Sequence, residues 1–132
     1  CKYLEVKGKL AIADINSNST SWGNYSNVER TISSDKAKQG SSWTSITGTK
    51  PASSVLLTAG ASDDTKKMNI YDFAGNEWEW TLEKTSISNG PCAYRGGSCY
   101  LTGSGGPASN RYGDYATDSN LVLGFRPTLY VN

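Results

Sequence analysis

Residues 71–80 read YDFAGNEWEW, placing three carboxylates, Asp72, Glu77 and Glu79, beside two indoles, Trp78 and Trp80. Side chains two apart on an extended strand share a face, so Glu77 and Glu79 line one side and Trp78 and Trp80 the other. The pattern predicts a strand whose indole side is covered. The acids then need a partner, because a half-buried carboxylate is costly unless it is paired. Much other chemistry is excluded, since the chain has no histidine. Ser-His-Asp and Cys-His catalysis, His-ligated zinc and most general-base work at neutral pH all depend on it. Cys1, Cys92 and Cys99 form neither a CxxC pair nor a set of zinc ligands. Cys92 and Cys99 could bridge a short hairpin, but an odd cysteine count favours unlinked thiols.

A second region with chemical character runs from Tyr94 to Asn120, where Gly, Ser, Asn, Tyr and Asp dominate and no lysine follows Lys84. Tyrosine brings large amphipathic contact area with few rotors to freeze, while Ser, Gly and Asn supply adaptable hydrogen bonds. Composition alone is equally that of a binding loop or of an ordinary solvated one.

These residues must be held by the rest of a 132-residue chain, which by length is one domain with a real core. Hydrophobic residues are only 36%, yet four Trp, eight Tyr and two Phe supply bulky core material to a loop-rich globule. A net charge of +1 gives no indication of nucleic-acid binding. No apolar run is long enough for a membrane helix, so no membrane insertion is expected, and the start lacks the features of a signal peptide. The chain opens inside an amphipathic segment and reads as the C-terminal piece of something longer. Residues 1–15 are the best helix, interrupted or ended near Gly8. Residues 16–66 read as long polar loops pinned by Trp22, Tyr25, Trp43 and the run Val55–Leu57. Strands are expected at SSVLLTAG, NIYDF, WEWTLE and LGFRPTLYV, with Ala74, Gly75 and Asn76 as a bend and Pro127 marking an edge or bulge. The fold class is α+β with short strands and long excursions.

Three fragments in fixed order, NIYDFAGNEWEWT at 69–81, YRGGSCY at 94–100 and GPASNRYGDYATDSNLVLGFRP at 106–127, resemble the formylglycine-generating-enzyme and sulfatase-modifying-factor family. The likeness covers roughly the second half of the chain. It implies a single C-type-lectin-like domain over residues 1–132, with much irregular backbone. It also implies a calcium ion at the turn, held by Asp72, the carbonyls of Gly75 and Glu77, and the side chain of Glu79. Such a donor set suits a hard cation. A buried arginine such as Arg95 or Arg126 would satisfy Glu79 equally well.

Where catalytic members carry two copper-binding cysteines, this chain has Thr102 and Pro107, and the histidine of that loop is also missing. Copper(I) requires soft thiolates, so no copper and no oxidase activity are expected. A better match is to the variable proteins of diversity-generating retroelements, which resemble this chain in ending close to Gly-Phe-Arg. That branch implies a non-enzymatic ligand-binding module on a phage particle, a bacterial surface or a secreted protein, directed at a protein or glycan on a target cell. Its displayed residues would be Ser98, Cys99, Tyr100, Leu101, Asn110, Tyr112, Asp114, Tyr115, Asp118 and Asn120. Tyr100, Tyr112, Asp114 and Tyr115 would be exposed and close together. Gly96, Gly97, Arg111 and 124–126 would be covered scaffold, as would Arg95, with Pro107 and Ser109 fixing the loop's path. The alternatives are an oxidase using Cys92 or Cys99, and a structural decoration domain.

Overall fold

The computed structural model describes residues 2–6 and 9–127, with backbone alone at residues 2 and 3. Helices α1 (Lys2–Val6) and α2 (Ile12–Asn16) fall on either side of Gly8, where the helix is expected to be interrupted. Lys9, ahead of α2, has a left-handed φ of 52°. The carbonyl of Asp14, near the end of α2, accepts from Ser19 Oγ at 2.6 Å and from the Trp22 indole at 3.2 Å. That ties the first polar loop to the helix.

Six short strands follow in pairs. They are β1 (Arg30–Thr31) with β4 (Thr49–Lys50), β2 (Lys38–Gln39) with β3 (Thr44–Ser45), and β5 (Lys66–Lys67) with β6 (Ile70–Tyr71). All three pairs are antiparallel. A 3-10 turn at Asp63–Thr65 precedes β5. The segment SSVLLTAG forms no strand; Leu57 makes one isolated bridge to Gln39, while Leu56 and Leu57 are buried. NIYDF contributes only Ile70 and Tyr71 to a strand.

The main sheet comprises β7 (Trp78–Lys84), β8 (Cys92–Arg95), β9 (Arg111–Asp114) and β10 (Leu123–Phe125). Its order is β10-β7-β8-β9, parallel between β10 and β7 and antiparallel elsewhere. Strand β10 is thus an edge, as Pro127 behind it suggests. Short strands, two short helices among the described residues and long irregular segments make the architecture α+β. The principal core joins Leu4, Ile15, Trp22, Tyr25, Val28, Ala74 and Ala108. Of the three expected aromatic pins, Trp22 and Tyr25 are buried, but Trp43 is exposed. It sits in the turn between β2 and β3, directly before Thr44, at a left-handed φ of 49°.

Two long cations help hold the polar half. Lys50 is fully buried, and its Nζ donates to the carbonyls of Tyr25 at 2.7 Å and Val28 at 2.9 Å. Arg30, also buried, donates from Nε to the Gly23 carbonyl at 3.0 Å. Each crosslinks backbone that has no strand partner at that point, meeting carbonyls that would otherwise be orphaned.

Candidate functional site

The site begins at the bend before β7. Gly75 has a φ of 70° and its N–H donates to the Gly96 carbonyl at 2.7 Å. A Cβ at Gly75 would run into the Asn24 carbonyl, so the close approach as well as the backbone conformation demands glycine. Asn76, at a φ of 60°, is buried. Its side chain brackets Leu57, accepting from the Leu57 N–H and donating to its carbonyl, both at 2.9 Å. The Asn76 carbonyl accepts from Cys99 N at 3.0 Å, which fastens 96–99 to the bend.

Register separates the two faces of the sheet. Trp78 lies beside Leu123, and Trp80 stands between Tyr94 and Phe125, with Tyr94 beside Tyr112. Their rings form one cluster: Trp78–Tyr94 at 5.2 Å, Trp78–Tyr112 at 5.3 Å and Trp80–Tyr94 at 5.3 Å, all edge-on, with Tyr94 stacked on Tyr112 at 6.2 Å. On the other face, Glu79 lies beside Arg95, which lies beside Arg111. The expected separation of acids from indoles holds. The expectation of a covered indole face does not: Trp78 and Trp80 are half-buried, Tyr112 is half-exposed and Phe125 is 76% exposed. Leu56, Cys99 and Val122 pack at the Trp78 end, and beyond it the rings cover one another.

The three arginines are not buried beneath the loop. Arg95 and Arg111 both reach Glu83, at 2.8 Å each. They also donate to the carbonyls of Ser109 and Lys84, respectively. Arg126 forks onto Glu79, with Nε 3.1 Å from Oε2 and its second nitrogen on Oε1. Arg111 and Arg126 are exposed because they stand on or just beyond the outer strands β9 and β10.

Asp72, Glu77, Glu79 and Arg126 line a common pocket of about 250 Å³. Burial pushes the Asp72 carboxyl up, although hydrogen bonds from Thr65 and the Gly60 N–H oppose it. Burial likewise raises Glu77, and the neighbouring charges of Glu79 and Asp72 add to that. For the implied calcium, the donor types suit a hard cation, but their arrangement does not fit. Glu79 is committed to Arg126, Asp72 accepts from Gly60, and among the described residues no three acidic, thiol or imidazole side chains are gathered for a metal.

The residues expected to be displayed divide. Ser98 and Cys99 are buried, at 2% and 0% exposure, so they are scaffold rather than surface. Burial pushes the Cys99 thiol up to about 11. Leu101 and Asn110 are half-buried. Tyr100, Tyr112, Tyr115, Asp118 and Asn120 are exposed, with Asp114 half-buried among them. Tyr112 belongs to the ring cluster, while no ring contact among the described residues joins Tyr100 or Tyr115 to it. Gly96 and Gly97 are covered as expected, whereas Phe125 and Arg126 are exposed. Cys92 and Cys99 are free thiols.

Sequence reasoning misses Asn24, Lys50 and Arg30, which hold the scaffold through backbone groups. It also misses Tyr94 as the centre of the ring cluster, although its distance of two from Cys92 on a strand could have placed both on one face. No protein-family model, curated protein or solved structure matches the chain.

Proposed function

We propose that this chain is a non-enzymatic ligand-binding module with a C-type-lectin-like fold, most like the variable proteins of diversity-generating retroelements. It would act at a phage or bacterial surface, presenting its C-terminal surface to a protein or glycan on a target cell. One observation carries the reading. The buried turn 96–99 lies directly before a loop set whose aromatic and acidic side chains, Tyr112, Tyr115 and Asp118 among them, are exposed. Such a division lets side chains change without disturbing the fold. The half-exposed ring cluster adds anchors of the kind that dominate interfaces.

The test is binding of the labelled chain to bacterial cells and to a glycan array, compared with a Tyr112→Ala/Tyr115→Ala double variant. Binding should be lost in a variant whose melting curve shows it still folded, since Tyr112→Ala also removes ring packing against Trp78 and Tyr94. A binder indifferent to both tyrosines would refute the reading. Diversification is tested separately, by looking beside the gene for a reverse transcriptase and a near-identical repeat of the stretch encoding residues 94–126.

A further inference from the structure

Beside the ring cluster, a pocket of about 140 Å³ opens between Trp78 and Tyr94, with Asp114, Asp118, Ser119 and Asn120 among its lining. The Tyr115 N–H donates to Asp114 Oδ1 at 3.2 Å and to Asp118 Oδ2 at 3.3 Å, drawing both carboxyls to one amide. Elsewhere on this sheet carboxylates have guanidinium partners: Glu79 has Arg126, and Glu83 has Arg95 and Arg111. Among the described residues no ion pair engages Asp114 or Asp118, and no lysine or arginine lines the pocket. Their crowding is felt: the hydrogen bond with Asp114 holds the Asp118 carboxyl above its ordinary range. Tyr94, raised first by burial, is raised further by both acids.

We propose that this pocket receives the cationic side chain, lysine or arginine, of a protein partner docking on the aromatic face. The proposal rests on the binding-module reading and chooses among its ligands. Two features converge on a cation. The carboxyl pair supplies negative charge without an internal counter-ion, and ring faces of Trp and Tyr attract cations within about 6 Å. Size then selects a side chain. Ligand pockets for whole small molecules run from about 300 Å³ upward, and this one is half that, fit for the tip of a longer residue. Sugar hydroxyls also donate to carboxylates, but they leave the charge of the pair unneutralised, which a cationic side chain does not.

The experiment titrates the ¹⁵N-labelled full chain with Nα-acetyl-lysine methylamide and Nα-acetyl-arginine methylamide, and with the uncharged Nα-acetyl-norleucine methylamide. Saturable shifts are expected at the Trp78 indole N–H and at the Tyr115 and Asp118 amides with the cations only. Affinity should fall at least tenfold in Asp114→Asn/Asp118→Asn, a near-isosteric change at one half-buried and one exposed carboxyl, whose melting curve checks the fold. Equal shifts from norleucine, no shift at the Trp78 indole, or unchanged affinity in the variant would overturn the proposal. The two readings fail separately. A cell-surface partner whose binding needs Tyr112 and Tyr115 but ignores Asp114→Asn/Asp118→Asn leaves the module standing and removes the cation pocket. Cation shifts in a chain that binds no cell or glycan do the reverse.

Discussion

Asn24 Nδ2 donates to Asn76 Oδ1 at 2.9 Å, fully buried, joining the first polar loop to the turn before β7 across 52 positions of sequence. The same Asn24 amide also reaches the Val55 carbonyl at 3.0 Å, and Asn76 grips Leu57 on both sides. Three separate segments, the Asn24 loop, 55–57 and the turn at Asn76, therefore meet at two amides. Asn76→Ala should destabilise the fold by about 3 kcal/mol or more, because each buried group left unpaired costs about 1–3 kcal/mol. Alanine, which tolerates the left-handed region less well than asparagine or glycine, adds about 1 kcal/mol of backbone strain at this φ of 60°. Asn76→Gly should recover only that last part. Urea denaturation of the three chains gives the ranking, and a loss below about 1 kcal/mol for Asn76→Ala would show that the knot is dispensable.

Arg126 occupies the carboxylate, Glu79, that the resemblance assigns to calcium. With Arg126 forked onto Glu79, chelator should leave the melting temperature of the unaltered chain where it is. Arg126→Gln frees Glu79 beside Asp72 and Glu77, and calcium should then raise the melting temperature of that variant by mass action. If instead chelator lowers the melting temperature of the unaltered chain, a cation displaces Arg126. Asp72, Gly75, Glu77 and Glu79 then regain the role the resemblance implies.

The alternation at 77–80 was legible because a strand imposes a period of two, which fixes who shares a face. It did not tell which face is covered. That depends on what packs over the sheet, and here the rings mainly cover one another. Trp22 and Tyr25 were legible as bulky residues in a polar stretch. Lys50 and Arg30 were not, because a lysine among Ser and Thr reads as solvated and its partners are carbonyls, which every residue carries. Ser98 and Cys99 were misread for a related reason. Composition marks a loop as adaptable but cannot show which of its residues turn inward, and here the Asn76 carbonyl decides it.

Lys50 gives the fold an unusual alkaline profile. Burial, helped by the charge of Arg30, lowers its ammonium from 10.5 to about 8. Between those values the unfolded chain holds the proton that the fold has shed, so stability rises with pH. Cys99 acts oppositely, since burial raises its thiol from 9.0 to about 11 and stability falls with pH across that interval. Burial also raises the Tyr25 phenol above its usual 10.0, adding a further loss at high pH. The melting temperature should therefore climb from about pH 8 to 9, level off, and fall above about pH 10. Lys50→Met should lose the climb. It should also be less stable at neutral pH, because the carbonyls of Tyr25 and Val28 lose their donor. A flat profile in the unaltered chain between pH 8 and 9 would contradict this assignment.

The two described thiols should part company toward electrophiles. Cys92 is half-buried on β8, while Cys99 has no exposure and packs against Leu56 and Val122. The thiolate is the nucleophile, and burial both hides the Cys99 sulfur and keeps it protonated. In a Cys1→Ser background, iodoacetamide at pH 8 should modify Cys92 in the native chain and reach Cys99 only once urea unfolds it. Peptide mass spectrometry after timed quenching separates the two sites. Cys99→Ala should then remove the slow site at a cost set by the small void its sulfur leaves against Leu56 and Val122. Native labelling of Cys99 at the rate of Cys92 would mean that the 96–99 turn opens readily, and with it the division between buried scaffold and displayed surface on which the binding reading depends.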